Sequence, residues 1–196
     1  MKKAVKTLVL FTIILLIQHP AYAQLKPNPL NGIASDVKKV IEDYPAGLVN
    51  LIGELIVENP QSAEYQCNFT VHGAEESSIT RYSSKAKSVY SWQALMLSTE
   101  SFEKAKQKYR TLYNQLVNLA VKPAGSKTYY LKGDYQAPAE EMKFASIIFA
   151  FSPADDTTKK LKAEISLQYE LTEWKVKLLV YDKEREDNER GKAVEE

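Results

Sequence analysis

Along residues 160–172 apolar and polar side chains alternate without a break. Leu161, Ala163, Ile165, Leu167, Tyr169 and Leu171 fall on one side, and Lys160, Lys162, Glu164, Ser166, Gln168, Glu170 and Thr172 on the other. A period of two marks a strand with one face in the core. Trp174, Val176, Leu178 and Val180 repeat the pattern after Thr172-Glu173, which predicts a hairpin turning at those two residues. That turn sets Leu171 opposite Trp174, Tyr169 opposite Val176, Leu167 opposite Leu178 and Ile165 opposite Val180, with Glu170 facing Lys175 on the polar side.

Similar patterning predicts the other strands. From Glu64 to His72, Tyr65, Cys67, Phe69 and Val71 point one way and Gln66, Asn68, Thr70 and His72 the other. Ile79 to Tyr82 reads as a short strand after a turn over 73–78. Val89 to Leu97 is apolar or aromatic on both faces, which places it near the middle of a sheet. Lys127 to Tyr135 and Met142 to Phe151 read as two more strands.

Helical spacing appears three times. Val37, Val40, Ile41 and Tyr44 recur before Pro45, with Ser35 as N-cap. Leu48, Leu51, Ile52, Leu55 and Ile56 follow at the same spacing, although Gly53 and the β-branched pair Ile56-Val57 favour a strand at the end of this piece. The longest helix is predicted from Glu100 to about Val121: Phe102, Ala105, Tyr109, Leu112, Tyr113, Leu116 and Leu119 form one stripe, Thr99 caps it and Pro123 ends it. Together these elements predict an α+β fold, an antiparallel sheet of about five to seven strands packed against one long helix and a shorter N-terminal helical segment. No internal repeat stands out, although each helical piece is followed by hairpin-like strands, as a loose duplication would leave them.

The first residues read differently. Lys2, Lys3 and Lys6 precede an apolar run from Leu8 to Ile17, and Ala21-Tyr22-Ala23 supplies small residues for cleavage before Gln24. This is the pattern of an export signal, and the run is too short for the roughly twenty residues of a membrane span. The domain plan is a signal peptide over 1–23, a flexible Pro- and Asn-containing lead over 24–32, one domain over 33–183 and a charged, disordered tail over 184–196. The expected location is the periplasm or the extracellular space, with no transmembrane segment after cleavage.

Cleavage changes the charge. With Lys2, Lys3 and Lys6 gone from its 26 basic residues, 23 remain against 25 acidic ones, which is no footprint for nucleic acid. Cys67 is the only cysteine, so no intrachain disulfide forms, and the thiol is expected to be buried among Tyr65, Phe69 and Val71. His72 is five residues away along a strand and on the opposite face, which rules out a thiol–imidazole dyad. Asp155-Asp156 lacks the spacing of a calcium loop, and one remaining histidine leaves no zinc pattern, so no cofactor or metal is expected. There is neither a phosphate-binding glycine loop nor a nucleophile elbow.

The aromatic residues are what remains for function. Trp92, Tyr90, Tyr129, Tyr130 and Tyr135 are the candidate ligand-binding side chains, since a tyrosine offers an apolar face with a polar tip. Aromatic residues are also good strand formers, and core packing is the competing account. The predicted function is that of an exported non-enzymatic protein of the bacterial cell envelope, binding a protein, peptide or small apolar ligand. The alternative is a secreted carboxylate-dependent hydrolase.

Five phrases carry a resemblance: Asp43-Tyr44-Pro45, Asn59-Pro60-Gln61, Tyr90-Ser91-Trp92-Gln93-Ala94, Thr99-Glu100-Ser101-Phe102-Glu103 and Leu112-Tyr113-Asn114-Gln115-Leu116. In these the chain resembles small uncharacterised exported proteins of Bacteroidetes bacteria, over most of residues 33–185. The resemblance implies a bacterial envelope and a single domain, and it brings no activity with it.

Overall fold

A computed structural model describes residues 32–83, 88–125, 127–156 and 158–182. The expected signal peptide, all of the lead but Gly32, and the tail from 184 lie outside the described residues. The rest is predominantly β. Helix α1 (Ile33–Asp43) precedes four strands, β1 (Ile52–Asn59), β2 (Ser62–Cys67), β3 (Glu76–Ser83) and β4 (Ser88–Thr99). Helix α2 (Phe102–Leu116) precedes five more, β5 (Ala120–Val121), β6 (Tyr129–Lys132), β7 (Phe144–Ser152), β8 (Leu161–Glu170) and β9 (Glu173–Asp182).

All nine strands join one antiparallel sheet in the order β1-β2-β3-β4-β9-β8-β7-β6-β5. Each half therefore runs from an outer edge inwards, and the last strands of the two halves pair at the centre. This corrects the expectation of an α+β fold with five to seven strands under one long helix: the structure is a nine-stranded sheet with two short helices.

Two local effects account for the difference. The apolar series from Leu48 is not a helix. Leu48 adopts a left-handed φ of 55° and is buried with Leu51 as the anchor of a turn, after which the chain extends into β1. Gly53 belongs to that strand because a Cβ there would stand 3.0 Å from the carbonyl oxygen of Gln66 on β2. The long helix stops at Leu116, because Asn118 turns left-handed at φ 65° and Leu119 then accepts a hydrogen bond from the Leu131 amide. Its N-cap is Ser101, whose hydroxyl accepts from the Lys104 amide, and Thr99 bonds the Ser101 amide instead. Helix α1 starts at Ile33 rather than after Ser35.

One face of the sheet is core. Ile79, Trp92, Ala94, Val180, Leu178, Val176, Ala163, Ile165, Leu167, Ile147 and Phe149 are buried there under Val37, Val40 and Ile41 of α1 and Ala105, Tyr109, Leu112 and Leu116 of α2. The other face is mixed. A row of cross-strand partners runs Gln66, Ser78, Gln93, Leu179, Glu164, Ile148. Strand β4 lies fourth of nine, in the interior position its two-sided apolar pattern predicts.

The terminal hairpin forms, with a different register. Tyr169 pairs Trp174, Leu167 pairs Val176, Ile165 pairs Leu178 and Ala163 pairs Val180, so the turn is Leu171-Thr172, with Leu171 left-handed at φ 57° and 94% exposed. A slip of two residues leaves every paired side chain on its expected face, while Leu171, expected on the apolar face opposite Trp174, moves out into the turn. Glu170 accordingly reaches Lys175 at 3.2 Å and Lys177 at 2.8 Å. The Lys177 hydrogen bond is the larger cause that holds its carboxyl below the usual range, with Lys175 adding to it.

At the other end of the core, the buried Asp36 carboxylate accepts from both the backbone amide and the ring Nδ1 of His72, each at 2.7 Å, when that nitrogen carries its proton. This ties the chain after β2 to α1. No helix among the described residues is long and apolar enough to cross a membrane.

Face assignment is testable in the hairpin. Leu167→Asp buries an unpaired carboxylate and should cost more than about 3 kcal/mol, while Gln168→Asp on the mixed face should shift stability by about 0.5 kcal/mol or less. Chemical denaturation of both variants checks this, and equal losses would contradict the faces. The Tyr109 hydroxyl is fully buried without a hydrogen-bond partner, and burial, with Tyr135 beside it, pushes its pKa up. Removing an unsatisfied buried hydroxyl relieves a desolvation cost, so Tyr109→Phe should leave stability unchanged or raise it by up to about 1 kcal/mol. A clear loss in thermal melting would mean the hydroxyl has a partner after all.

Candidate functional site

The five candidate aromatic residues do not converge. Trp92 and Tyr129 are core, at 0% and 1% exposure. Trp92 sits on β4 facing the helices. Tyr129 on β6 donates its hydroxyl to Asp155 at 2.7 Å, and Lys127 closes the same carboxylate at 2.7 Å. Tyr135 lies against Tyr113 and Tyr109 at ring distances of 5.2 and 6.2 Å, beside α2. Tyr130 faces the opposite side of the sheet and is 45% exposed. Tyr90 shares the face of Trp92, packs its ring on Gly47 and accepts the Tyr44 hydroxyl at its carbonyl. A cavity of about 330 Å³ lies there, lined by Tyr44, Gly47, Tyr90, Asp156 and Lys160 among others. Of the five, Tyr90 alone lines it. A shared aromatic pocket between α2 and the sheet is not formed, since Tyr109, Leu112 and Leu116 fill that space.

The acidic turn is likewise occupied. Asp155 is bonded to Lys127 and Tyr129, and Asp156 pairs with Lys159 at 2.7 Å. Among the described residues no three His, Cys, Asp or Glu side chains stand close enough together to hold a metal ion.

Cys67 is half-buried, less covered than its neighbours predict. It closes β2 on the helix side, where the Ser77 hydroxyl, the Trp92 indole and the Lys39 ammonium surround it. Burial pushes the thiol up and outweighs all three, which act in the lowering direction.

The more distinctive geometry lies at the sheet margins. Strand β5 has two residues, with Val121 buried, and α1 rests against it. Strand β1 at the opposite margin has eight residues and is exposed from Glu54 to Asn59. Leu55, Ile56 and Val57 are 52%, 52% and 42% exposed, side by side on that strand. Neither lysine nor proline guards it, although two register shifts, at Ile52/Leu55 and Leu55/Val57, bend it.

A second cavity, of about 510 Å³, opens beside this margin. Ile56 forms its β1 wall. Glu64 and Gln66 of β2, Glu76 and Ser78 of β3 and Gln93 of β4 line the mixed face, with Cys67 and Ser77 contributing where their strands pass beneath. No lysine or arginine lines it.

Sequence reasoning missed this site because it read the spacing of residues 48–56 as helical and left only the end of that piece open to a strand. Gly53 and the Ile56-Val57 pair were the available signals. Compared with known families, curated proteins and solved structures, the chain has no match in any of the three.

The thiol makes a pH test. A raised pKa keeps Cys67 protonated at neutral pH, so alkylation of the native protein should be slow at pH 7 and still climbing past pH 9.0, the midpoint of an ordinary thiol. Labelling that levels off below that pH would contradict the environment described.

Proposed function

We propose that this chain is an exported, non-enzymatic binding protein of the bacterial cell envelope that takes an extended segment of a partner protein along the outer edge of β1, which no other described strand covers. The observation that carries the reading is the contrast between the margins, a two-residue strand under α1 at one end and an eight-residue strand exposed from Glu54 to Asn59 at the other. An edge strand presents a row of unpaired amides and carbonyls, and a peptide laid against it gains main-chain hydrogen bonds. Leu55, Ile56 and Val57 supply apolar contact on both sides of that row. Export rests on the charged start, apolar run and Ala21-Tyr22-Ala23 of the sequence.

A small apolar ligand has less support, because the helices fill the space beneath the sheet. For a carboxylate hydrolase, Glu64 and Glu76 share a cavity, but Glu76 is offset by four residues from the Glu64 partner Thr80 on the next strand. That places their Cα atoms about 14 Å apart on ideal strand spacings. Glycosidase carboxyl groups stand about 5–9.5 Å apart, a separation these two reach only when both side chains lean towards each other along the sheet.

A labelled peptide of alternating valine and threonine tests the edge without charge. Its fluorescence anisotropy should rise on titration with the protein, a copy methylated on every amide nitrogen should show no rise, and Ile56→Lys should weaken binding at least tenfold while moving the melting temperature little. Equal binding of the methylated copy, or no binding of either, would contradict strand addition.

A further inference from the structure

Resting on that reading, we infer that the segment received by β1 is basic, and that the cavity beside Ile56 takes one of its lysine or arginine side chains. The cavity lining contains two carboxylates, Glu64 and Glu76, together with the amides of Gln66 and Gln93 and the hydroxyl of Ser78, and no cation. On the strand itself Glu54 and Glu58 are both exposed, on either side of the apolar centre. Among the described residues, the charged side chains of β1 itself and of the cavity lining are therefore all acidic, and the cation of the adjoining strands, Arg81 of β3, lies over the Tyr65 ring in the row of Glu58, outside that lining.

The dimensions agree with one long side chain. Adjacent strands lie about 4.8 Å apart, so a strand added outside β1 runs about 10 Å from β2. An arginine or lysine extends about 6–7 Å from its Cα and crosses β1, and the carboxylate of Glu64 reaches back towards it. The amides and the hydroxyl complete the set of acceptors that a guanidinium with five donors requires. The cavity is open to water, so the charge is attracted without full desolvation and the pairing is sensitive to salt.

The same charges disfavour a second copy of this chain as the occupant. Antiparallel self-pairing centred on Ile56 sets Glu54 opposite Glu58 twice, and like charges directly opposite are destabilising. A basic, alternating segment meets the opposite situation at each of these positions.

Three labelled peptides separate the possibilities, alternating valine with arginine, with threonine and with glutamate. The arginine peptide should bind at least tenfold tighter than the threonine peptide at low salt, the glutamate peptide more weakly than either, and the gap should narrow as salt rises. In the double variant Glu64→Gln/Glu76→Gln the advantage of arginine should fall several-fold, with threonine-peptide binding unchanged as the control for folding. If arginine and threonine peptides bind alike, the basic preference is wrong while edge binding stands. If the arginine advantage survives intact in the double variant, the cavity is not its source. Absence of binding by all three overturns both readings, as does a dimer in sedimentation that Ile56→Lys dissolves.

Discussion

The pairing of β4 with β9 is the constraint on which the rest of this molecule depends. Residues 91–99 meet residues 174–181 in antiparallel register, with a bulge that fits Met96 between Leu95 and Leu97. These are the last strands of the two halves, each a helix followed by a meander. Were the seam open, Trp92, Ala94, Val176 and Val180 would lie at exposed margins, and α2, which touches β4, β8 and β9, would lose its continuous floor. Joining at the centre buries the most apolar strands on both sides and sends the margins out to β1 and β5. The sheet therefore has two very different edges for a topological reason.

Much of the strand content was legible because one-sided burial writes a period of two. The terminal hairpin shows the limit: its faces were read correctly and its register was displaced by two residues, since alternation constrains parity and the turn decides the register. Leu171 accepts a left-handed, fully exposed position that its apolar character does not announce. The second helical segment was misread because Leu48 and Leu51, buried in a turn, happen to continue at helical spacing into Ile52, Leu55 and Ile56. Asn118 ended α2 early by a backbone choice that an asparagine tolerates more readily than most residues. Strand count followed from these two errors, together with the two-residue β5.

The candidate site was legible in its residue types and not in its place. Aromatic side chains at Tyr90, Trp92, Tyr129, Tyr130 and Tyr135 are consistent with either a pocket or a core, and pattern alone does not say which strands are covered. The structure sends Trp92 and Tyr129 inwards and leaves only Tyr130 strongly exposed on the far face. The margin at β1 depends on strand order, which emerges from the pairing of residues more than 80 positions apart in sequence, such as Trp92 with Val180. An edge is a property of the whole sheet.

Amide hydrogen exchange on the full chain measures this arrangement most directly. The account predicts the slowest exchange at β4 and β9, with the outward-pointing amides of β1 exchanging almost as fast as free peptide until an extended segment is added. Outward amides of β1 already protected in the isolated protein to the level of β4 would contradict the free edge, and with it the binding role assigned to this margin.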